Sequence, residues 1–96
     1  MYVKIHRSGN SKVIAICDEN LINKEFEEGS LYIKVSESFF KGEKKNKEDV
    51  KKILKEAGNV NFIGGESVSV AIESGLISKE DVKKIKKIPC AFYFGG

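Results

Sequence analysis

The sequence is poor in the residues that build metal centres and disulfide scaffolds. It contains one histidine, one proline, two cysteines and no tryptophan. His6 is the only imidazole, and Cys17 and Cys90 form neither a CxxC knuckle nor a disulfide framework, so we expect no bound metal. Two buried free thiols are expected instead. A Cys17–Cys90 disulfide is the alternative if the source is a hyperthermophile.

Long apolar runs are also missing. No run approaches the ~20 residues that a helix needs to cross a bilayer, and the N-terminal stretch MYVKIHRSG lacks the apolar centre of a signal peptide. We therefore expect a cytoplasmic protein with no membrane partner. Its 96 residues, 41% of them hydrophobic, suit one domain over residues 1–96.

The net charge of +3 is unevenly distributed along the chain. Residues 18–28 contain five acids and one lysine, whereas residues 41–55 contain seven lysines and three acids. This asymmetry permits a surface that faces a polyanion, and it permits the acidic segment Glu25–Glu28 to face a basic protein. It requires neither partner.

Alternating apolar residues predict an N-terminal β-hairpin. YVKIHRS and SKVIAICD flank Gly9-Asn10, a pair typical of two-residue turns. The second strand is apolar on both faces, which predicts a central position in a sheet. Asp18 is then expected to cap the short turn ENLIN. SLYIKVS alternates in the same way and predicts a third strand, and IPCAFYF predicts a strand at the end of the chain.

The heptapeptide KEDVKKI occurs twice, at residues 47–53 and 79–85. Asn46 and Ser78 stand where N-caps are expected, and Pro89 would stop the second copy, so we predict two helices with similar starts. An internal duplication is the alternative, because each copy is followed by an aromatic-containing stretch that ends in Gly-Gly.

Periodicity does not distinguish helix from strand over residues 66–74, although the flanking glycines favour a helix. The predicted fold class is α+β. It has an N-terminal antiparallel β-hairpin extended by a third strand, with about three short helices packed on one face. ESFF is expected to form one of the short helical turns.

Cys17, Asp18 and His6 are the candidates for a small enzyme or a thiol-dependent protein. A nucleophilic cysteine needs a lowered pKa, which two adjacent acids would oppose. In the predicted hairpin His6 lies opposite Val13, roughly 13 Å along the strand from Cys17. A core thiol beside a capping aspartate is the simpler interpretation, and no catalytic residue is assigned.

Exposed lysines are the candidates for nucleic-acid contacts. They fall in the two copies of the heptapeptide and just after each copy: Lys51, Lys52, Lys55, Lys83, Lys84, Lys86 and Lys87. Binding would need them to converge beside exposed aromatics such as Tyr2, Tyr32 or Tyr93. The stretch NFIGGES has the strand–glycine–helix order of a phosphate loop but lacks its motif spacing, so no cofactor is expected.

The chain resembles a small archaeal family known only as domain of unknown function number 424. The resemblance rests on VKIHRSG, AICDENLINK, SESFF and NFIGGESVSVAIESGLIS followed by IPCA, and it covers nearly the whole chain. It implies a single α+β domain, a helix over residues 66–74 and no assigned activity. The positions that it singles out, with no known role, are Cys17, Asp18, Lys24, Asn61 and Gly64.

This chain departs from the family pattern in two places. A Pro-His-Ala-Gln-like ending is replaced here by Pro89-Cys90-Ala91-Phe92, and Gly-Glu is replaced by Gly64-Gly65. Any role of that histidine and amide is therefore absent or altered here.

The function expected from the sequence is that of a non-catalytic binding module associated with RNA or the ribosome. The basic helices and the missing catalytic set favour it. A small thiol enzyme and a protein–protein adaptor acting through Glu25–Glu28 are the alternatives.

Overall fold

Eight strands and three short α-helices succeed one another along residues 1–95, the part of the chain that the computed structural model describes. The strands are β1 (Tyr2–Ser8), β2 (Ser11–Cys17), β3 (Glu25–Glu28), β4 (Leu31–Lys34), β5 (Glu43–Lys44), β6 (Asn59–Ile63), β7 (Lys83–Ile85) and β8 (Ile88–Phe94). The helices are α1 (Glu37–Phe40), α2 (Lys47–Leu54) and α3 (Gly65–Glu73). The predicted α+β class, the one-turn helix at ESFF, the helix near residues 66–74 and the final strand are all confirmed.

Six of the strands form one mixed sheet in the order β5-β1-β2-β6-β8-β7. The predicted hairpin is confirmed: β1 and β2 run antiparallel with Ser8 opposite Ser11, and Gly9 has the positive φ (59°) that the turn requires. The sheet extends beyond this hairpin through β6, which pairs with β2 in parallel, while β8 pairs antiparallel with β6.

The predicted third strand exists as β4, but it does not extend the hairpin. It pairs with β3 in a separate two-stranded sheet, with Phe26 opposite Ile33. Alternation of apolar and polar residues predicts a strand but does not determine which strand it pairs with. A central neighbour of β2 must be apolar on both faces, and β6 meets this need by burying Val60, Phe62 and Ile63, whereas Tyr32 of β4 is exposed.

Helices cover both faces of the main sheet, which corrects the expectation of one face. On one face α2 and α3 bury Val50, Leu54 and Val70 against the sheet. On the other face α1 and the β3–β4 hairpin bury Phe40 and Val35 beside Ala15 and Cys17. From the two-sided apolar pattern of β2 we predicted only a central position in the sheet, but such a strand also needs cover on both faces, which explains the difference.

The repeated heptapeptide adopts two different structures. The first copy forms α2, and the Asn46 side chain accepts from the backbone nitrogen of Asp49 (2.9 Å) as predicted. In the second copy the backbone nitrogen of Ser78 donates to the Asp81 carboxylate (2.9 Å), so that cap also forms. The chain then makes only a 3₁₀ turn, Lys79–Asp81, before it becomes the edge strand β7.

The predicted second helix is therefore wrong beyond its first turn, and the following residues explain the difference. The first copy continues into LKEA, whose Leu54 and Ala57 extend the apolar stripe of a helix. The second continues into KKIP, which places Lys86 and Pro89 at those two positions. Proline cannot continue a helix, and Lys86 and Lys87 turn the chain back with positive φ values of 52° and 70°.

Candidate nucleic-acid interface

The two cysteines are free and buried, as expected. Each pairs with Ile63, which lies between them on β6. Two strand spacings separate their Cα atoms by roughly 9.5 Å, beyond the limit of about 7 Å for a disulfide. Burial, reinforced by the charge of Asp18, raises the pKa of the Cys17 thiol to about 12. Burial also raises the pKa of Cys90.

His6 lies away from both thiols. It faces Val13, whereas Cys17 lies opposite Tyr2 at the other end of the hairpin. The imidazole stacks on the ring of Phe39 (centroids 4.5 Å apart), and its Nε2 donates to the carbonyl oxygen of the same residue (2.9 Å). The structure therefore does not assemble Cys17, Asp18 and His6 into a catalytic group.

Asp18 caps a different element from the one predicted. Its side chain makes no capping hydrogen bond to the adjacent 3₁₀ turn Glu19–Leu21. Its carboxylate instead accepts from the backbone nitrogens of Glu66 (3.1 Å) and Ser67 (2.9 Å) and from the Ser67 hydroxyl (2.8 Å). The N-terminus of α3, where a phosphate loop would bind its anion, is thus occupied by a carboxylate of the protein itself.

Gly64 is required beside this carboxylate. Its φ of 111° disfavours other residues, and a Cβ atom at this position would overlap the carboxyl group of Asp18. Two of the positions singled out by the family resemblance, Asp18 and Gly64, are therefore one structural unit. Lys24 lies elsewhere: it is exposed, and its carbonyl oxygen accepts from the backbone nitrogen of Val35 (2.9 Å).

The candidate lysines do not converge on a single surface. On α2, Lys51 lies 3.4 Å from the Glu73 carboxylate, which Lys47 also contacts at 2.7 Å. The hydrogen bond from Lys47 is the main reason that the pKa of Glu73 is lowered. Lys52 on the same helix and Lys55 immediately after it are exposed.

The second group of lysines lies at the far edge of the sheet. Lys83 and Lys84 are exposed on β7, and Lys86 and Lys87 form the turn into β8. Because β1, over which α2 packs, is four strands away from β7, the two groups lie ~19 Å apart across the sheet. We call Lys83, Lys84, Lys86 and Lys87 the edge lysines.

One part of the sheet remains uncovered, and we call it the open face. Strand registry places His6, Val13, Asn59 and Phe94 in one cross-strand row and Asn61 and Phe92 in the next. Phe94 is 80% exposed and Phe92 is 38% exposed. The buried residues Cys17, Ile63 and Cys90 continue the same face beneath α1 and the β3–β4 hairpin.

The exposed aromatics differ from those expected. Tyr2 is half-buried beneath the Lys44 ammonium group, 5.7 Å from its ring centroid, and Tyr93 packs against the core. Tyr32 is exposed, as expected. Sequence reasoning missed Phe92, Phe94 and Asn59. A signal was present, because Phe92 and Phe94 alternate with the apolar residues Ala91 and Tyr93 in a strand that closes the sheet.

The acidic segment Glu25–Glu28 forms strand β3 and is partly occupied by contacts within the protein. Glu25 accepts from the Tyr32 hydroxyl (2.7 Å), which raises the pKa of that tyrosine. Glu28 accepts from the backbone nitrogen of Lys86 (2.9 Å), so the acidic strand lies beside the turn that carries two of the edge lysines. Glu27 is exposed.

Metal-ligand clusters and membrane-spanning helices are both missing from residues 1–95. No group of three His, Cys, Asp or Glu side chains there converges as a metal ion would require. None of the helices in this range has the length and apolar character needed to cross a membrane.

Comparisons with known proteins agree with this fold. The family described as "Protein of unknown function (DUF424)" matches residues 6–95. The crystal structure of an uncharacterized conserved protein from Methanopyrus kandleri superimposes with a TM-score of 0.82 at 21% sequence identity, over 98% of this chain and 90% of that one. No match was found among curated proteins.

Proposed function

Because the chain belongs to the DUF424 family of proteins of unknown function, whose description assigns no activity, we propose a function from the chemistry of its own residues. The protein is a non-catalytic RNA-binding module that serves the cytoplasmic translation apparatus. Its binding energy comes largely from the attraction between lysines and phosphates, a contribution that does not depend on sequence.

The distribution of acids is the observation that carries this proposal. The chain has 14 Asp and Glu residues, yet none lies in the four longest strands, β1, β2, β6 and β8. The same strands carry Lys4, His6, Arg7 and Lys12. The four inner strands of the main sheet therefore present no carboxylate of their own to a polyanion.

The edge lysines supply the exposed cations next to this region. Within residues 1–95 none of the four forms an ion pair with a carboxylate, in contrast to Lys51 on α2. Lysines on a short edge strand also prevent strands of other molecules from pairing there. Lys83 and Lys84 fit that role equally, but Lys86 and Lys87 lie in a turn and need another explanation.

A protein partner at the β3–β4 hairpin is the second candidate. Leu31 and Tyr32 are 41% and 58% exposed, and Glu25 and Glu27 lie on the same small sheet. Exposed apolar side chains beside acids are typical of a surface that binds a basic protein.

A pull-down of the tagged protein from its native cells, with and without ribonuclease, tests the proposal. We expect recovery of RNA and ribosomal proteins that ribonuclease abolishes. Recovery of one protein partner that resists ribonuclease, and that no longer binds the Leu31→Ala/Tyr32→Ala variant, would favour the hairpin interface instead.

A further inference from the structure

Two phenylalanines project from the open face of the sheet without cover. Phe92 and Phe94 are successive residues on the same side of β8, so their rings are ~7 Å apart along the strand. Their neighbours on the opposite side, Ala91 and Tyr93, pack into the core formed with α2 and α3. Burial thus accounts for Ala91 and Tyr93 but not for Phe94, which is 80% exposed.

Amide side chains accompany both rings. Asn61 lies opposite Phe92, and Asn59 lies opposite Phe94, on the neighbouring strand β6. All four side chains are on the same face, because directly paired residues share a face of the sheet and so do residues two apart on one strand. An asparagine amide both donates and accepts hydrogen bonds, so each amide can bind the edge of a base that stacks on the adjacent ring.

The strands around the two rings, β6, β7 and β8, carry two lysines and no acid. Lys83 pairs with Cys90 on the same face, which makes it the diagonal neighbour of Phe92. Asp81, the nearest acid along the chain, already accepts hydrogen bonds from the backbone nitrogen (2.9 Å) and hydroxyl (3.2 Å) of Ser78. Neither β6 nor β8 contains an acid.

We propose that Phe92 and Phe94 form a stacking platform for two unpaired bases of single-stranded RNA, with Asn61 and Asn59 at the base edges and Lys83 at the phosphate backbone. Bases in a helix are ~3.4 Å apart and hide their ring faces, whereas the ~7 Å spacing on a strand suits bases that are splayed out of the stack. The platform rests on the proposed function and specifies its ligand as unpaired RNA.

Fluorescence anisotropy tests the platform with a labelled 12-nucleotide RNA of mixed sequence, both single-stranded and annealed to its complement. The variants are Phe92→Ala, Phe94→Ala and Phe94→Leu, and the matched control is Tyr32→Ala, which removes an exposed aromatic from the other sheet. Circular dichroism confirms that each variant is folded.

We expect the single strand to bind more tightly than the duplex. Each Phe→Ala change should weaken the single-strand Kd by about 5- to 140-fold, the range for removal of one stacking aromatic. Phe94→Leu should lose most of the same affinity, because leucine is apolar but cannot stack, and Tyr32→Ala should bind like the wild type. The salt dependence of binding should not change, since no phosphate contact is removed.

Failure of the platform is distinguishable from failure of RNA binding. Salt-dependent binding of the wild type, with unchanged affinity in both Phe→Ala variants or equal affinity for the duplex, would overturn the platform and leave the proposed function standing. A wild type that binds no RNA at low salt would overturn both. A dimer that Phe94→Ala converts to a monomer without affecting RNA affinity would show that a second copy covers the rings, and would also overturn the platform.

Discussion

The carboxylate of Asp18 accepts hydrogen bonds from both the backbone nitrogen and the hydroxyl of Ser67, 49 residues further along the chain. This contact joins the end of β2 to the start of α3. The Ser67 side chain is fully buried, and the Asp18 carboxylate is the acceptor for its hydroxyl. Asp18 therefore acts as a structural cap of α3.

Asp18→Ala should lower the free energy of unfolding by about 1–3 kcal/mol, because it removes a helix cap and leaves a buried hydroxyl without a partner. Urea denaturation followed by circular dichroism measures the change. Glu27→Ala, the loss of an exposed acid, is the control and should shift the value by about 0.5 kcal/mol or less. Equal effects of the two substitutions would contradict the role assigned to Asp18.

Gly64→Ala should destabilise the protein by about 1–3 kcal/mol or more, because it forces a side chain into a positive φ and against the Asp18 carboxylate. The adjacent Gly65→Ala is the matched control. Nothing lies within 4 Å of a Cβ atom at Gly65, so this change should be neutral or slightly stabilising.

The clash also predicts coupling between Gly64 and Asp18. The double variant Gly64→Ala/Asp18→Ala should be destabilised by less than the sum of the two single effects, since the second change removes the atoms that the first one meets. Strict additivity in urea denaturation would show that Gly64 is needed only for its backbone angles.

Cys17 should react slowly with iodoacetamide at pH 8 in the folded protein and rapidly after unfolding in urea. The reason is that its pKa is raised to about 12 while the unfolded thiol ionises near 9.0, and only the thiolate is nucleophilic. A folded-state reaction as fast as that of the unfolded chain would revive the thiol-dependent alternative.

The same pKa shift predicts a dependence of stability on pH. Above pH 9 the unfolded state loses the Cys17 proton while the folded state keeps it, so the contribution of this thiol is complete below pH 9 and is lost as the pH rises towards 12. Between about pH 8 and 10.5, stability should therefore fall less steeply in Cys17→Ala than in the wild type. Parallel curves in urea denaturation would contradict the shift.

The two N-caps of the repeated heptapeptide provide another test. Asn46→Ala and Ser78→Ala should each destabilise by about 1 kcal/mol, and the effects should add because the caps belong to separate elements. Peptides spanning residues 45–58 and 77–90 should differ in circular dichroism, the first showing more helix. Equal helicity would mean that the β7 strand is imposed by the sheet rather than by the residues that follow the second copy.

The heptapeptide also shows how far the sequence predicts this fold. The caps at Asn46 and Ser78 depend on local sequence and were predictable. The structure of the second copy depends instead on Lys86, Lys87 and Pro89, which follow it, and on the edge of β8, with which it pairs as β7. Strand β4 was recognisable from alternation, but its partner β3 was not, since pairing depends on which strand can fill both faces of the core.

The candidate site was less predictable for the same reason. The lysines were visible as residue types, but only sheet order separates those on α2 from the edge lysines. From the sequence alone, Phe92 and Phe94 are expected in the core. Their exposure becomes clear only when the elements that pack on each face of the sheet are known. Asp18 was predicted to cap its own neighbour, because no local signal points to a partner 49 residues away.

The salt dependence of RNA binding in a matched pair of triple variants tests the central claim most directly. Lys83→Gln/Lys86→Gln/Lys87→Gln and Lys51→Gln/Lys52→Gln/Lys55→Gln remove the same charge from the two ends of the sheet. In the first variant, the slope of log K against log salt for single-stranded RNA should become shallower by roughly 0.7 for each lysine–phosphate pair that the substitutions remove. It should change much less in the second, because Lys51 is already paired with Glu73 and α2 lies on the face of the sheet opposite Phe92 and Phe94. The absence of micromolar binding by the wild type at low salt, or slopes that neither variant changes, would contradict the account.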